Sequence, residues 1–268
     1  MQKSIAVVVH ACDRYRLLFQ GFEYFFKKYW PQQTVVCNYY FLTEELDYNS
    51  DVFTNIKTGK GEWTERLRVA LQCIEEPYII YMQEDMWLSE MLCTDTINSV
   101  VQFALENELQ LMKLNSSEVY KTIATDIVID GLRVGVLDNN ASGYLMSHQL
   151  AIWNKEFLLS QLQYKEHPWR NERKGTKRLK KLNPVIYHVD LFSENGKTPI
   201  NNNPDTAHTG SYMTVSVNSV LNDFVVPFIN ELKRCKEQLY SSYAYRLAHH
   251  YNHKYTHDGK AKPRRCWF

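Results

Sequence analysis

The acids Glu84 and Asp85 stand where an apolar run comes to an end, in Tyr78-Ile79-Ile80-Tyr81-Met82-Gln83-Glu84-Asp85-Met86-Trp87-Leu88. The run opens just after Pro77 and is β-branched, aromatic or apolar through Met82, so it reads as a buried strand. Carboxylates at the end of such a strand are costly unless something answers them. In an open α/β sheet the carboxyl ends of the strands are where ligands bind. Two acids there suit a divalent cation carrying a phosphate group. The plain alternative is a strand end that turns into water, and position alone does not separate the two.

The elements before this stretch must place it at such an edge. Residues 4–11 form a continuous apolar strand of the kind covered on both faces. Cys12-Asp13-Arg14 is the loop after it. Residues 15–30 have helical periodicity, with Leu18, Phe22, Phe25, Phe26 and Tyr29 on one side, and Pro31 stops them. A second strand at 34–42 leads to Thr43-Glu44-Glu45, and a short third is expected at 52–56. The basic loop Lys57-Thr58-Gly59-Lys60-Gly61-Glu62 precedes a helix at 63–74, with Leu67, Ala70, Leu71 and Ile74 inward. Strand–helix–strand, then loop–helix–strand, predicts a parallel α/β sheet. Asp13, Arg14 and Glu44 then share an edge with Glu84 and Asp85 and outline a nucleotide site. Neither GxGxxG nor GxxxxGK[ST] occurs. A nucleotidyltransferase, which shares the sheet and the acid pair, would carry a glycine-rich loop after the first strand. His10-Ala11-Cys12-Asp13-Arg14 has no glycine.

This order of elements and motifs resembles the nucleotide-sugar-binding half of GT-A fold glycosyltransferases, in particular family 2-like bacterial and viral members that build surface polysaccharides. The resemblance covers residues 4–115 and, more loosely, 138–175. Those enzymes carry a DxD metal motif or variants such as xED. Here the stretch is Gln83-Glu84-Asp85, so the resemblance assigns the metal, Mn²⁺ or Mg²⁺, to Asp85 with Glu84 beside it. It further implies Asp13 and Glu44 for the nucleobase and ribose, with Arg14 beside them in the nucleotide site, and Lys57, Lys60 or Arg66 for the charge of the diphosphate. Solvated loop lysines are the ordinary alternative for Lys57 and Lys60.

Downstream, an amphipathic helix is expected at 89–107 and strands at 109–114, 127–129 and 134–137. A turn-rich loop, 138–144, leads to a strand at 145–153 and a helix at 154–162 capped by Asn154. In GT-A enzymes a strand of this sort lies beside the acceptor. The segment Glu166-His167-Pro168-Trp169-Arg170-Asn171-Glu172 follows. Inverting enzymes need a carboxylate to take the acceptor's proton. By the same resemblance Glu172, three residues after Trp169, is that base, with Glu166 second and His167 a further candidate. Trp169 either stacks on a sugar or packs in the core. Residues 165–181 are dense in Lys and Arg and face an anionic acceptor, a phospholipid surface, the donor diphosphate or simply water. A strand is expected at 185–189, and 190–212 reads as a mobile loop, a lid over the donor. His188, Asp190 and His208 are candidate late metal ligands. Residues 225–245 read as a helix or a broken pair. The tail mixes His249, His250, His253 and His257 with basic and aromatic residues, which suits a membrane interface or nucleic acid.

The chain has 268 residues, 44% apolar and 13% aromatic, with a formal net charge of +1. A near-neutral chain is poorly suited to be a strongly basic nucleic-acid binder. No apolar run nears the ~20 residues of a membrane span. The six scattered cysteines include no CxxC, which argues for reduced thiols and against a zinc or disulfide scaffold. The expectation is therefore an α/β, GT-A-like mixed, mostly parallel sheet over 1–212, with a donor half to about 115 and an acceptor half after it. A helical, basic extension follows at 213–268. The expected activity is metal-dependent, inverting sugar transfer from a nucleotide sugar to a hydroxyl of a glycan or lipid-linked saccharide. It is placed in the cytoplasm, at the inner membrane face where the tail touches lipid. The alternative is a nucleic-acid-binding or base-glycosylating protein.

Overall fold

A computed structural model describes residues 4–31, 33–197 and 209–261. Strand β1 (Ile5–His10) is buried along its whole length, as its unbroken apolar sequence requires. It pairs in parallel with β2 (Asn38–Thr43) on one side and β4 (Tyr78–Gln83) on the other. The register sets His10 opposite Leu42 and Gln83, so the carboxyl ends of these strands form one edge. β3 (Thr54–Lys57) extends the sheet beyond β2. A 3₁₀ turn at Asp13–Tyr15 leads into α1 (Arg16–Tyr29), and α2 (Trp63–Cys73) leads back to β4.

Past the acid pair lies β5 (Met86–Glu90), where the sequence predicted only the approach to a helix. That helix, α3, begins later and spans Thr94–Glu106. β6 (Leu111–Asn115), β7 (Thr122–Ile129) and β8 (Leu132–Leu137) follow. β7 is longer than the predicted 127–129: its first half mixes Thr122, Thr125 and Asp126 with solvent-facing Ile123 and Ala124, so no apolar alternation marks it. β9 (Ala151–Asn154) keeps only the last part of the predicted 145–153 strand. α4 (Lys155–Gln161) is capped by Asn154, whose side chain accepts from the amide of Phe157 at 3.0 Å. α5 (Pro168–Leu182), β10 (Tyr187–Glu194), β11 (Gly210–Thr214), β12 (Ser216–Val217) and β13 (Val220–Leu221) follow. α6 (Val225–Lys233) and α7 (Gln238–His253) are the predicted broken pair. Part of the expected 190–212 loop is thus strand. Residues 198–208, with His208 and Asn201-Asn202-Asn203-Pro204, lie outside the described residues, as do Cys266 and the tail from 262.

The strands run in the order β3-β2-β1-β4-β9-β6-β10-β11-β5, with β8 and β7 branching from β10. Along this path only β9 and β5 oppose the rest, giving a mixed, mostly parallel sheet flanked by helices. β4 and β5 are separated in sequence only by Glu84 and Asp85, yet lie five strands apart in the sheet. A flat sheet would hold them about 24 Å apart at ~4.8 Å per strand. Three residue steps reach only about 11 Å. The sheet therefore curls, and the acid pair is the bridge across its mouth.

Apolar residues pack on both faces. Val7 and Val9 join Phe22, Phe25, Trp87, Phe228 and Leu247, while Val8 joins Leu42, Leu67, Tyr81 and Leu179. The first group brings α6 and α7 into the core that α1 covers. Among the described residues no helix is long and apolar enough to cross a membrane, and the five described cysteines are free.

Candidate active site

A cleft of about 490 Å³ opens at the carboxyl edge of β1 and β4. It is lined by Glu84, Asp85, Arg66, Trp63, Trp169 and Glu172, with His10, Cys12, Tyr15, His148 and Ser216 among the remaining wall residues. Four residues singled out in the sequence, Arg66, Glu84, Asp85 and Glu172, meet here from α2, the β4–β5 turn and α5.

The turn is braced from behind. The buried Trp87 indole donates to the Glu84 carbonyl at 3.1 Å, and the Val215 amide donates to the Asp85 carbonyl at 2.9 Å. Trp87 rests against Gly21, where any side chain would collide with its ring. Burial, then the neighbouring Asp85 charge, pushes the Glu84 carboxyl well above its usual range. Burial raises Asp85 to about 7. Asp85 Oδ1 is buried without a hydrogen-bond partner. Two adjacent carboxylates, strained toward protonation and with an orphaned oxygen, fit a divalent cation that takes its other ligands from phosphate and water. Among the described residues no group of three or more His, Cys, Asp and Glu side chains forms a metal cage.

Arg66 supplies the opposite charge. It is only 6% exposed; its Nη1 lies 3.3 Å from Glu44 Oε1, and its Nε and Nη1 make no hydrogen bond. A buried guanidinium with free N–H groups is suited to a phosphate or carboxylate. Trp63 sits between two imidazoles, its ring 5.0 Å from His10 and 4.2 Å from His148. Both histidines are held neutral, chiefly by burial; His148 falls to about 3. Burial first, then Glu84 and Glu44, pushes the Cys12 thiol to about 12, so it stays protonated.

Glu172 projects from α5, whose Asn171, Gly175 and Leu179 face the core. Its Oε1 accepts from the His148 amide at 3.0 Å. Burial raises its carboxyl, opposed by that hydrogen bond and by the Lys113 charge. Lys113 is fully buried behind it, donates to Ser147 Oγ at 2.8 Å, and is itself lowered to about 7 by burial.

Other candidates have different work. The Asp13 carboxylate accepts from the amides of Glu44, Glu45 and Leu46 at 2.9–3.0 Å, and the Asp13 amide donates to Glu44 Oε2 at 3.0 Å. It staples the loops after β1 and β2, and those contacts occupy both of its oxygens. Glu44 orients Arg66. Arg14 is half-exposed beside Asp258 at 3.7 Å, and Lys57 and Lys60 pair with Asp47 and Glu45 at the surface. Glu166 is buried and bound to Arg178 and Asn171, and His167 caps α5 by accepting from the Arg170 amide. Trp169 is 63% exposed at the cleft rim, so it is no core residue. His188 and Asp190 are fully buried on β10, 3.6 Å apart. His257 is buried too: its Nε2 lies 2.7 Å from Ser216 Oγ and its ring packs at a tilt against Tyr15, 4.7 Å between centroids, bracing the cleft wall.

No protein-family profile and no curated protein matches this chain. Solved structures do. S. aureus TarS 1–349 in complex with UDP is similar at 10% identity over 91% of this chain and 70% of that one, TM-score 0.47. The same protein with UDP-GlcNAc is similar at 12% identity over 94% and 72%, TM-score 0.46. A CMP:2-keto-3-deoxy-manno-octonic acid synthetase complexed with CTP is similar at 13% identity over 77% and 94%, TM-score 0.40. The chain spans 43% of the longer TarS chain.

The sequence did not single out His10, Trp63, His148 or Lys113 for the site. His10 and Lys113 fall within strands, and Trp63 reads as a helix start. His148 lies in an irregular stretch that its apolar neighbours disguise as strand. A lysine inside the apolar run Leu109–Leu114 was the one signal available.

Proposed function

We propose that this protein is a nucleotide-sugar-dependent glycosyltransferase that passes a sugar to a hydroxyl group of a glycan or lipid-linked saccharide, with inversion. The observation that carries the reading is that Asp85 and Glu172, distant in sequence, line one cleft from different elements, the β4–β5 turn and α5. The donor's diphosphate lies toward Glu84, Asp85 and Arg66, and the acceptor enters past Trp169. Asp85, with Glu84 beside it, would hold a divalent cation, which neutralises the charge of the departing diphosphate. Arg66 adds a fixed positive charge that needs no reorganisation during the reaction.

Glu172 is the general base. The His148 amide holds Oε1, which leaves Oε2 to take the acceptor hydroxyl proton as the oxygen attacks the anomeric carbon. The bond to the nucleoside diphosphate breaks as the new glycosidic bond forms. Burial tunes the carboxyl upward, toward working pH, where a base is most effective. The neutral imidazoles of His10 and His148 keep competing positive charge out of the cleft.

Glu172→Gln tests the assignment. It should leave donor binding unchanged and lower transfer by about 10²–10⁴-fold, the usual range for general-base loss. Full activity would remove Glu172 from the mechanism.

A further inference from the structure

The outer face of α5 carries more positive charge than the donor cleft uses. Arg170, Arg173, Lys174, Lys177 and Lys180 line a second cavity of about 660 Å³ together with Tyr144, and Glu172 lines this cavity as well as the cleft. Arg170 to Lys180 spans about 15 Å of helix, or just under three turns, so the five cations come at close to two per turn. Among the described residues none of the five is within ion-pair distance of a carboxylate. Arg170, Arg173 and Lys180 reach only backbone carbonyls, whereas Arg178, on the inner side of the same helix, is matched to Glu166. Like charges three and four residues apart oppose helix formation, so the row is a cost in the free protein that an anion would relieve. Tyr144 stands at the groove half-exposed, in a left-handed backbone conformation (φ +49°) unusual for an aromatic residue. Its ring offers a flat apolar face with a polar tip.

We propose that this groove binds an acceptor saccharide bearing repeated anionic groups, phosphate or carboxylate, and that it delivers the acceptor's free hydroxyl to Glu172. The delivery clause rests on Glu172 acting as the base; the binding clause does not. The row of cations takes the charges, and Tyr144 takes a sugar ring. A chain-like ligand is favoured over a lipid surface because the cations line a concavity, not a flat face, and that concavity has Glu172 in common with the cleft.

The test uses the full chain and two matched probes, a dextran oligomer and the same oligomer phosphorylated on its sugar units, with binding read by calorimetry. Phosphorylated dextran should bind at least tenfold more tightly than dextran, and raising salt should weaken it. Lys174→Glu with Lys177→Glu should remove at least tenfold of that affinity. Tyr144→Ala should weaken phosphorylated dextran several-fold while sparing inorganic polyphosphate, which has no sugar ring. Nucleotide binding, measured in parallel as a thermal shift, should be unchanged in these variants. Equal binding of the two dextrans, or no loss in the double variant, overturns the inference. So does binding of phosphatidylglycerol vesicles without binding of phosphorylated dextran, which would make the face a lipid contact. Saccharide binding without any nucleotide shift would sink the transferase reading and leave the groove standing. A nucleotide shift without saccharide binding would do the reverse.

Discussion

Gly21→Ala should disturb the acid pair from the far side of the sheet. A Cβ on Gly21 would lie 2.2 Å from Trp87 Cη2 and 2.3 Å from Cζ2. Carbon atoms settle at roughly 3.5–4.0 Å, so the ring must retreat by about 1.3 Å or more. It has nowhere to go, because Trp87 is fully buried with Phe25 and Phe228 rings 5.5 and 5.4 Å away. Overpacking of this kind costs about 1–3 kcal/mol. Loss of the indole hydrogen bond to the Glu84 carbonyl adds about 1 kcal/mol. The better helix propensity of alanine returns about 1 kcal/mol, which leaves a net loss of about 1–3 kcal/mol. At roughly 2–4 °C per kcal/mol for a chain of this size, Tm should fall by about 2–12 °C. Differential scanning calorimetry reads it. In a Trp87→Phe background the two closest colliding atoms are gone and only Tyr243 Oη, 2.8 Å from the added Cβ, still crowds it, so the same substitution should cost clearly less. A Gly21→Ala protein that melts at or above the wild type would refute the reasoning. So would an undiminished loss in the Trp87→Phe background.

Two further outcomes follow from α5 and its support. A Cβ on Gly175 would meet Met146 Cγ at 2.6 Å and Cβ at 2.8 Å, so Gly175→Ala should push α5 outward. A shift of about 1 Å at a reacting group can cost 10²-fold, so transfer should drop by about 10–100-fold with donor KM nearly unchanged; an unaltered kcat would contradict it. The pH profile tests the Lys113 charge. Glu172 works deprotonated, so kcat/KM falls as pH drops through its raised pKa. The Lys113 charge lowers that pKa, so Lys113→Met should move the acid limb to higher pH; no shift, or a downward one, would count against the pairing.

The half of the fold that builds the edge carrying the acid pair was legible because its central strands are buried on both faces and read as unbroken apolar runs. β1 and β4 are of this kind, and their parallel register carries Glu84 and Asp85 to the predicted edge. β5 escaped because Met86-Trp87-Leu88 is too short to show a period, and its pairing with β11 is made far along the chain. Asp13, Arg14 and Lys57, by residue type and loop position, and Arg66, by its charge on the helix after the glycine-lysine loop, were alike candidates. Only burial separates them: Arg66 is enclosed with free N–H groups, Lys57 meets Asp47 in solvent, and Asp13 is consumed by three backbone amides. Between Glu172 and Glu166, both acids among basic residues, only the spacing from Trp169 ranked Glu172 first. The structure divides them: Glu166, ahead of α5, pairs with Arg178, and Glu172, on the helix, lines the cleft. His148 and Lys113 act on Glu172 from other strands and loops, a relation no local pattern encodes.

The most direct measurement is a thermal-shift panel of UDP, GDP, dTDP and CMP sugars with and without Mn²⁺, on the wild type and Asp85→Ala. A ligand at 100 times its Kd stabilises by about 2.7 kcal/mol, so one nucleotide sugar should raise Tm by roughly 5–11 °C when Mn²⁺ is present. Asp85→Ala should abolish the metal-dependent part of that shift. If no nucleotide sugar moves Tm, or if Asp85→Ala responds to Mn²⁺ as the wild type does, the cleft is not the donor site described.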